Sequence, residues 1–484
     1  MKHILTLLLL TLLTTTLHAE AEHAEHTATI TLQFIGGPHI LPNQVFSTTL
    51  SLLPLSSSSS KPSLPYIEVA DAACAAYSSF RSTSPSSSIL RPCSPSTLRL
   101  FLANGTLTTP PIITLPSLSS ALFLGLEDDQ WMWTSPPSAS AFPVSLPPVS
   151  WFSPTPPLPF PLHLQQVSLW PRVFGVRSLL SVQETWYLRT LGKRSGLGQS
   201  RLVDGSVEPA RRSSSTASLA QAELQGDPFL PILRARVQSL LRLDDPVGYA
   251  SVEAFQVVRY QPGQHFGLHY DPLVSDHAIN QTDPVTAQSC QRFATLFVYL
   301  GQDDPDMYGP TSPPPKDTPP LSPAAPGSPT VFPASVASPD ELDPSAADSA
   351  YIPGMPLGED EDADACEWMT RQNVTGLALE PDQGDALLFY SFLPPGQEDC
   401  ILDTRAVHGG CKVPQDAPAK WGLNIWFASR VLRDPNGNPI YTPGREPSST
   451  SSNHDHDHDD YDEDDDHYND DEYEYSDDEY QDEL

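Results

Sequence analysis

The segment YQPGQHFGLHYDP, at positions 260–272, contains the pattern that decides both the fold and the chemistry of this chain. His269 and Asp271 are two residues apart, so on a β-strand both side chains leave the same face. One imidazole and one carboxylate, completed by a second imidazole, form the facial triad that suits Fe(II) and leaves positions for a bidentate 2-oxo acid and O2. Because a His-x-Asp pair is common by chance, the prediction also needs a distant histidine in a strand context.

The candidate for that histidine is His408, in the sequence AVHGGC between two predicted strands. We expect its two glycines to let the backbone approach the metal closely. Twelve residues further on, Lys420 begins an apolar strand, and a buried cation is costly unless it meets an anion such as the carboxylate of 2-oxoglutarate. The alternative for Lys420 is a surface lysine at a strand start. His265 and His277 flank the motif and are expected to be exposed loop or edge residues.

The wider pattern predicts an α+β domain in which helices precede a series of strands. A capping box at Ser181 and Glu184 opens a helix that is expected to end near Gly192, and Asp227 is expected to cap a second helix. Strands that pack as a sandwich or barrel are then predicted from the apolar runs. These runs lie at 255–259, 293–300, 377–379, 386–390 and 422–428.

Composition divides the chain into several regions, since its 53 prolines and many serines mark long linkers. The basic start followed by an apolar run of about ten residues is typical of a cleaved signal peptide, and it is too short for a membrane span. In chain order we predict a signal peptide at 1–21, a small β-rich region of unknown role at 22–150, a Pro-rich linker at 151–168, a catalytic domain at 169–432 with a disordered insertion at about 302–365, and a disordered acidic tail at 433–484.

Charge and the last residues predict partners and a location. The net charge is −34, and 18 of the 60 acidic residues lie between positions 454 and 484, where there is no Lys or Arg. Such a chain does not bind nucleic acid through the phosphate backbone. The final residues, QDEL, match the address that a KDEL-type retrieval receptor reads. With the signal peptide, they predict a protein of the endoplasmic reticulum lumen that has no stable membrane span.

Cysteines and asparagines fit such a compartment. The chain has six cysteines, and disulfides persist in an oxidising lumen. Sequons at Asn104, Asn280 and Asn373 are candidate glycosylation sites. Connectivity cannot be deduced from sequence. We therefore treat three pairs as hypotheses: Cys74 with Cys93, Cys400 with Cys411, and Cys290 with Cys366.

The order and spacing of these motifs resemble one known family, the prolyl 4-hydroxylase catalytic domain, over about 170–430 outside the insertion. The matching stretches are PRV at 171–173, QVVRY at 256–260, HYD at 269–271, RFAT at 292–295, GDALLF at 384–389, HGGC at 408–411 and KW at 420–421. One strand that normally follows Leu300 closely is displaced, and TVFP at 330–333 is its expected remnant. Ala428 stands where the family often has a histidine.

The resemblance implies a double-stranded β-helix, or jelly roll, and assigns roles residue by residue. In the numbering of this chain, the matching residues are the iron ligands His269, Asp271 and His408, the 2-oxoglutarate contacts Lys420, Tyr260 and Thr295, and the substrate contacts Arg292 and Trp426.

The implied reaction converts 2-oxoglutarate and O2 to succinate and CO2 while it hydroxylates peptidyl proline at C4, with ascorbate keeping the iron reduced. The substrate would be a proline-containing polypeptide bound in extended, polyproline II geometry. Two alternatives stay open: hydroxylation of another peptidyl residue such as lysine, and a non-catalytic lumenal binding protein with a Ca2+-buffering tail. Lys420 favours proline, since families that hydroxylate lysine often use arginine there. The oligomeric state is left undetermined.

Overall fold

The computed structural model of the protein describes most of residues 28–34, 47–54, 61–83, 93–126, 132–133, 141–146, 162–201, 207–242, 252–272, 286–287, 292–303, 327–336, 364–392 and 400–427. The predicted signal peptide, the predicted acidic tail and most of the predicted insertion lie outside these ranges. Of the helices within them, none combines the length and the apolar character that crossing a membrane requires.

The N-terminal region combines a four-stranded sheet with one long helix. The strand order is β2-β1-β6-β4, with β1 and β6 parallel. Ile30 and Leu32, alternate residues of the first strand, are fully buried as their pattern predicts. The 18-residue helix α1 packs on this core but was not predicted. The elements are β1 (Ala28–Phe34), β2 (Ser47–Leu52), β3 (Ser63–Pro65), α1 (Tyr66–Thr83), β4 (Leu98–Leu102), β5 (Ile112–Thr114) and β6 (Ser119–Leu126).

The rest of the described chain is built around a nine-stranded major sheet of order β10-β11-β12-β21-β15-β18-β9-β8-β7. The predicted strands are all present, with ends that differ by at most two residues from those expected. The strands are β7 (Phe142–Pro143), β8 (His163–Ser168), β9 (Val173–Arg177), β10 (Gly198–Gln199), β11 (Ser215–Ser218), β12 (Gln256–Tyr260), β15 (Ala294–Gln302), β18 (Ala386–Tyr390) and β21 (Lys420–Phe427). The strand at 163–168 lies in the stretch that was interpreted as a linker. Leu164 is buried in the major sheet, so this segment is part of the fold.

A four-stranded minor sheet of order β13-β20-β16-β17 closes the jelly roll. Its third strand is the expected remnant, which pairs with neighbours on both sides. The displaced strand therefore occupies a slot inside the fold. The members are β13 (Phe266–His269), β16 (Thr330–Phe332), β17 (Leu377–Leu379) and β20 (His408–Gly410), and a separate pair joins β14 (Thr286–Ala287) to β19 (Cys400–Ile401).

Strand β15 shows how one strand serves two cores. Leu296 and Val298 point to the large core shared with the helices, whereas Phe297 and Tyr299 point into the interior between the two sheets. Because both faces are covered, the strand reads as an apolar run without alternation. The α+β jelly roll that the sequence predicts is confirmed by this arrangement.

Helices α2 (Val182–Arg194), α3 (Ala220–Leu224), α4 (Leu230–Leu241) and α5 (Ala365–Gln372) support the sheets. Both hydrogen bonds of the predicted capping box at Ser181 are present, and Asp227 accepts from two backbone N–H groups at the start of α4. The expected stop at Gly192 is wrong by two residues. A side chain there would lie 2.7 Å from Val257, so this glycine lets α2 pack against the sheet rather than ending the helix.

The N-terminal region packs on the same large core through Trp133. This side chain is fully buried, and its Nε1 donates to the Leu240 carbonyl at 2.9 Å. Its backbone N–H donates to the Tyr390 hydroxyl on β18 at 3.0 Å. The residues before 150 are thus joined to the jelly-roll part of the chain by hydrogen bonds.

Two disulfides lie among the described residues. Cys74–Cys93 links α1 to the loop before β4, as expected. The second bond joins Cys366 on α5 to Cys411 at the end of β20. The hypothesis that Cys411 pairs with Cys400 is therefore wrong, and so is that of Cys290 with Cys366, because packing of α5 on the minor sheet brings Cys366 to Cys411. Cys290 lies outside the described residues.

Candidate metal and cosubstrate site

Antiparallel pairing of β13 and β20 brings two histidines together. His269 and His408 are direct partners across the ladder. Such partners point to the same face of the sheet, and their ring centroids lie 4.4 Å apart. Two histidines that are 139 positions apart in the chain thus become neighbours through the pairing of these two strands.

Asp271 completes the cluster. One of its carboxylate oxygens lies 3.8 Å from His269 Nε2 and the other 3.5 Å from His408 Nε2. The three ligand atoms lie within 4.8 Å of one another, as one bound ion requires. The Thr295 hydroxyl donates to Asp271 Oδ2 at 2.5 Å, which orients the carboxylate.

Backbone carbonyls fix the tautomer of both imidazoles. His269 Nδ1 lies 2.8 Å from the Gly267 carbonyl, and His408 Nδ1 lies 2.9 Å from the Ala406 carbonyl. A carbonyl oxygen only accepts, so each Nδ1 carries the proton and each Nε2 presents a lone pair to the carboxylate side. The arrangement is that of two metal-ligating histidines.

Electrostatics keep the cluster in the ligand-competent protonation states. Burial, with His408 nearby, lowers the pKa of His269 to about 3, so this imidazole is neutral at physiological pH. Burial alone would raise the pKa of Asp271, but neighbouring His408, His269 and Arg292 outweigh it and hold that pKa below its usual value. The set therefore offers two imidazoles and one carboxylate, a combination of donors that fits Fe(II).

Lys420 lines the same pocket as the three candidate ligands. It is only 4% exposed, so the surface alternative is wrong. Its ammonium donates to the Ser328 carbonyl and lies 5.0 Å from the centroid of the Tyr299 ring. Burial lowers the pKa of Lys420 to about 8, with Glu380 opposing the effect. The pocket thus contains a cation that the protein solvates poorly.

Strand β21 carries one whole wall of the pocket. Lys420, Asn424 and Trp426 lie on one face and all line the cavity. At the usual rise of a strand, the Cα atoms of Lys420 and Trp426 are roughly 20 Å apart. The alternation along β21 could have identified Asn424, which the sequence analysis missed.

Other lining residues were also missed. Phe266 stacks on the His269 ring with centroids 3.7 Å apart. Thr330 bonds to the Tyr299 hydroxyl at 2.6 Å, and Ser328 holds Lys420. Thr330 belongs to the remnant strand and Ser328 lies two residues before it, and the sequence analysis recognised this segment as a strand only. Tyr260, Thr295 and Trp426 line the pocket as well.

Arg292 and Trp426 meet at one side of the cavity. The guanidinium lies 4.1 Å from the Trp426 ring centroid, forms a two-point ion pair with Glu253 at 2.9 and 3.1 Å, and donates to the Asp271 carbonyl at 3.2 Å. Arg292 has a φ of 52°, which for a non-glycine residue persists only where several contacts hold it. Trp426 Nε1 is buried with no hydrogen-bond partner among the described residues.

One expectation near the motif needs correction. His265 is 4% exposed, and its backbone N–H donates to the Ser213 hydroxyl, because the turn before β13 is covered by the segment that enters β11. A side chain at Gly409 would lie 3.0 Å from Ala365, so this glycine lets β20 pack closely on α5. His277 lies outside the described residues, and so does Ala428.

Comparison with known proteins identifies the class. Residues 255–428 match the 2OG-Fe(II) oxygenase superfamily. A probable prolyl 4-hydroxylase 3 of Arabidopsis thaliana is 26% identical over 258 residues, which cover 53% of this chain and 69% of that protein. The transmembrane prolyl 4-hydroxylase of Homo sapiens is 28% identical over 213 residues, which cover 42% and 35%. The solved viral collagen prolyl hydroxylase from Paramecium Bursaria Chlorella virus-1, in its 2OG complex, aligns at a TM-score of 0.30 with 19% identity over 53% of this chain and 94% of that one.

The fold and the matched residues thus define a 2-oxoglutarate-dependent dioxygenase. Over the matched region the chain is similar to the 2OG-Fe(II) oxygenase superfamily, and the curated relatives that it resembles are prolyl 4-hydroxylases. Members of this superfamily use Fe(II), 2-oxoglutarate and O2.

Proposed function

We propose that this protein hydroxylates peptidyl proline at C4, consuming 2-oxoglutarate and O2 and releasing succinate and CO2. One observation carries the proposal: the candidate ligands His269, Asp271 and His408 share a single pocket with the buried Lys420. A buried lysine ammonium and a buried cluster of metal ligands each destabilise the ligand-free protein. A binding protein without turnover has no physical need for the two together.

The three clustered side chains would hold the iron. Bound Fe(II) supplies activation of O2 next to the substrate. Both histidines direct Nδ1 to a backbone carbonyl, of Gly267 and Ala406, so each ring turns its Nε2 toward the Asp271 carboxylate. The Thr295 hydroxyl keeps the Asp271 carboxylate turned toward the histidines.

Lys420 would bind the carboxylate of 2-oxoglutarate that is remote from the metal. The ammonium is already desolvated, so an incoming carboxylate meets a cation that has little water to lose. Tyr260 pairs with Lys420 across β12 and β21 and lines the same cavity. We assign Lys420 the main role and Tyr260 and Thr330 the shaping of this end of the pocket.

Arg292 and Trp426 would contact the polypeptide. The stacked pair offers a flat surface beside the candidate metal cluster, and the unpartnered Nε1 of Trp426 offers a donor to a peptide carbonyl. A proline-rich segment in polyproline II geometry leaves its carbonyls free for such bonds and loses little entropy on binding. Ascorbate would serve to return oxidised iron to Fe(II).

We further propose residence in the endoplasmic reticulum lumen. The predicted signal peptide and QDEL address lie outside the described residues, and support comes from the two disulfides, which suit an oxidising compartment. Among the described sequons, Asn373 is exposed at the end of α5, while Asn104 is partly buried and its side chain accepts from Thr106. In secretory cells, Asn373→Gln should remove a glycosidase-sensitive mass shift.

The function is tested with the purified full chain, Fe(II), ascorbate and 2-oxoglutarate, measuring succinate with a proline-rich peptide, a lysine-containing peptide without proline, and no peptide. We expect stimulation by the proline peptide alone. Stimulation by the lysine peptide alone would move the assignment to another peptidyl residue. An iron-loaded protein that forms no succinate with any peptide would refute the enzyme function.

A further inference from the structure

One short 3-10 turn, Thr404–Ala406, is bonded to both halves of the candidate iron site. Tyr270, which lies between His269 and Asp271 just after β13, donates its hydroxyl to the Thr404 carbonyl at 2.8 Å. The Ala406 carbonyl, two residues along the same turn, lies 2.9 Å from His408 Nδ1. Carbonyls of a single turn therefore attach the His-x-Asp segment on one side and the distal histidine on the other.

The turn is itself held by Asp403. This residue is 4% exposed, and its Oδ1 accepts from the Arg405 N–H at 3.0 Å. Its own N–H donates to the Ser391 carbonyl at 2.9 Å, just beyond β18. Burial raises the pKa of Asp403 to about 6, while the charges of Arg405 and Arg172 favour the carboxylate, so at neutral pH the residue is ionised and accepts.

The strand ladder alone fixes the two halves weakly. Pairing between β13 and β20 is irregular between Phe266 and His269. Irregularities of this kind interrupt the ladder and re-aim side chains near active sites. A second attachment of the two segments is thus needed to keep the imidazoles at one distance.

We propose that Tyr270 and Asp403 are positioning residues that hold His269 and Asp271 in place against His408 before metal binds. The inference rests on the proposed function, because it takes these three residues to be the metal ligands. Neither Tyr270 nor Asp403 is placed among the ligands. Their effect is exerted through the Thr404 and Ala406 carbonyls.

Tyr66 provides a matched control for a purely structural role. It is a buried tyrosine whose hydroxyl donates to the Leu98 carbonyl at 2.9 Å in the N-terminal region, far in sequence from the site. Tyr66→Phe removes the same kind of bond as Tyr270→Phe. Both variants should lower the melting temperature of the metal-free protein to a similar extent.

The experiment is a calorimetric titration of the full-length protein with Co(II), with the visible absorption of the bound ion as a second readout. Tyr270→Phe and Asp403→Ala should weaken Co(II) binding about 10-fold and alter the spectrum, in the range that outer-shell partners of metal ligands command. Asp403→Asn, which keeps a capping oxygen, should restore wild-type affinity, and Tyr66→Phe should leave it unchanged.

Wild-type affinity and spectrum in both Tyr270→Phe and Asp403→Ala would overturn the positioning role while leaving the metal site intact. An equal loss in Tyr66→Phe would also overturn it, because the effect would then be one of general stability. A wild-type protein that does not bind Co(II) would overturn the proposed function and this inference with it.

Discussion

The two ends of the pocket differ in how their polar groups are paired. At the end with His269 and His408, each Nδ1 already has a backbone acceptor. At the other end, the buried Lys420 ammonium lies against the Ser328 carbonyl and the rings of Phe297 and Tyr299, and burial lowers its pKa to about 8. The first end is organised by the protein before any ligand arrives, whereas at the second Glu380 acts on the ammonium without forming an ion pair with it among the described residues. From this difference we predict that the preset geometry of the imidazoles would hold the metal and that the charge of Lys420 would hold the cosubstrate.

The largest effect is expected at the organised end. His408→Ala removes a ligand that no neighbour can replace, so turnover should fall on the order of 10³-fold or more, equivalent to about 4 kcal/mol of transition-state stabilisation. Succinate formation at saturating 2-oxoglutarate measures it. His163→Ala, on β8 away from the pocket, is the control. If the His408→Ala variant keeps a tenth of the wild-type rate, the assignment of His408 as a metal ligand is wrong.

A smaller loss is expected at the charged end. Lys420→Met removes a charge-assisted hydrogen bond of about 1.5–3 kcal/mol, so the KM for 2-oxoglutarate should rise about 10–100-fold with a smaller change in kcat. Lys193→Met is the matched control, since Lys193 lies over Trp421 of the same strand on the opposite face. An unchanged KM in the Lys420 variant would contradict the assigned role.

The same substitution should stabilise the metal-free protein. Because the folded-state pKa of about 8 is below the ordinary 10.5, charged Lys420 costs about 3 kcal/mol at neutral pH. Stability should therefore rise as pH increases from about 8 to 10.5 in the wild type and stay flat in Lys420→Met. Urea unfolding across this range measures the slopes. If the unfolding free energy changes equally with pH in the two proteins, the charge on Lys420 does not destabilise the fold.

Cosubstrate affinity should have the opposite pH dependence. As pH rises through about 8, Lys420 in the free protein loses its proton, and the neutral amine no longer pairs with a carboxylate. The dissociation constant for 2-oxoglutarate should increase above pH 8. Lys420→Arg, which stays protonated, should show no such increase. An identical rise in the arginine variant would assign the dependence to another group.

The smallest effect is expected at the peptide side. Trp426→Phe keeps the stacked ring and removes the Nε1 donor, so the KM for a proline-rich peptide should rise about 3–10-fold, the value of one hydrogen bond of about 0.5–1.5 kcal/mol. The KM for 2-oxoglutarate should not change. A variant in which only the 2-oxoglutarate KM rises would move Trp426 to the cosubstrate end.

Short-range pattern was enough to predict most of the organised end. The two-residue spacing of His269 and Asp271 predicted that both side chains face the same way, although Asp271 lies two residues beyond the end of β13. The five apolar runs predicted β12, β15, β17, β18 and β21. The capping box of α2 is likewise a local signal. These features were predictable because each depends on residues within one element. Helix α1 has the same kind of signal in its alanines, which the β-like interpretation of the region overlooked.

Features that depend on long-range packing were not predictable. The Cys366–Cys411 bond exists because α5 lies on the minor sheet, and no spacing rule encodes that. Burial of His265 follows from a segment some 50 positions earlier that covers it. The contact of Ser328 with Lys420 depends on where the displaced strand re-enters the fold. In each case the partner is set by tertiary structure.

The most direct measurement is the dissociation constant of 2-oxoglutarate with and without Mn(II), a redox-stable substitute for Fe(II), in the wild type, His408→Ala and Lys420→Met. If a single 2-oxoglutarate molecule contacts the metal at one end of the pocket and Lys420 at the other, Mn(II) should tighten 2-oxoglutarate binding in the wild type. His408→Ala should lose this coupling, and Lys420→Met should bind weakly whether or not metal is present. Equal affinity with and without metal in the wild type would contradict the account.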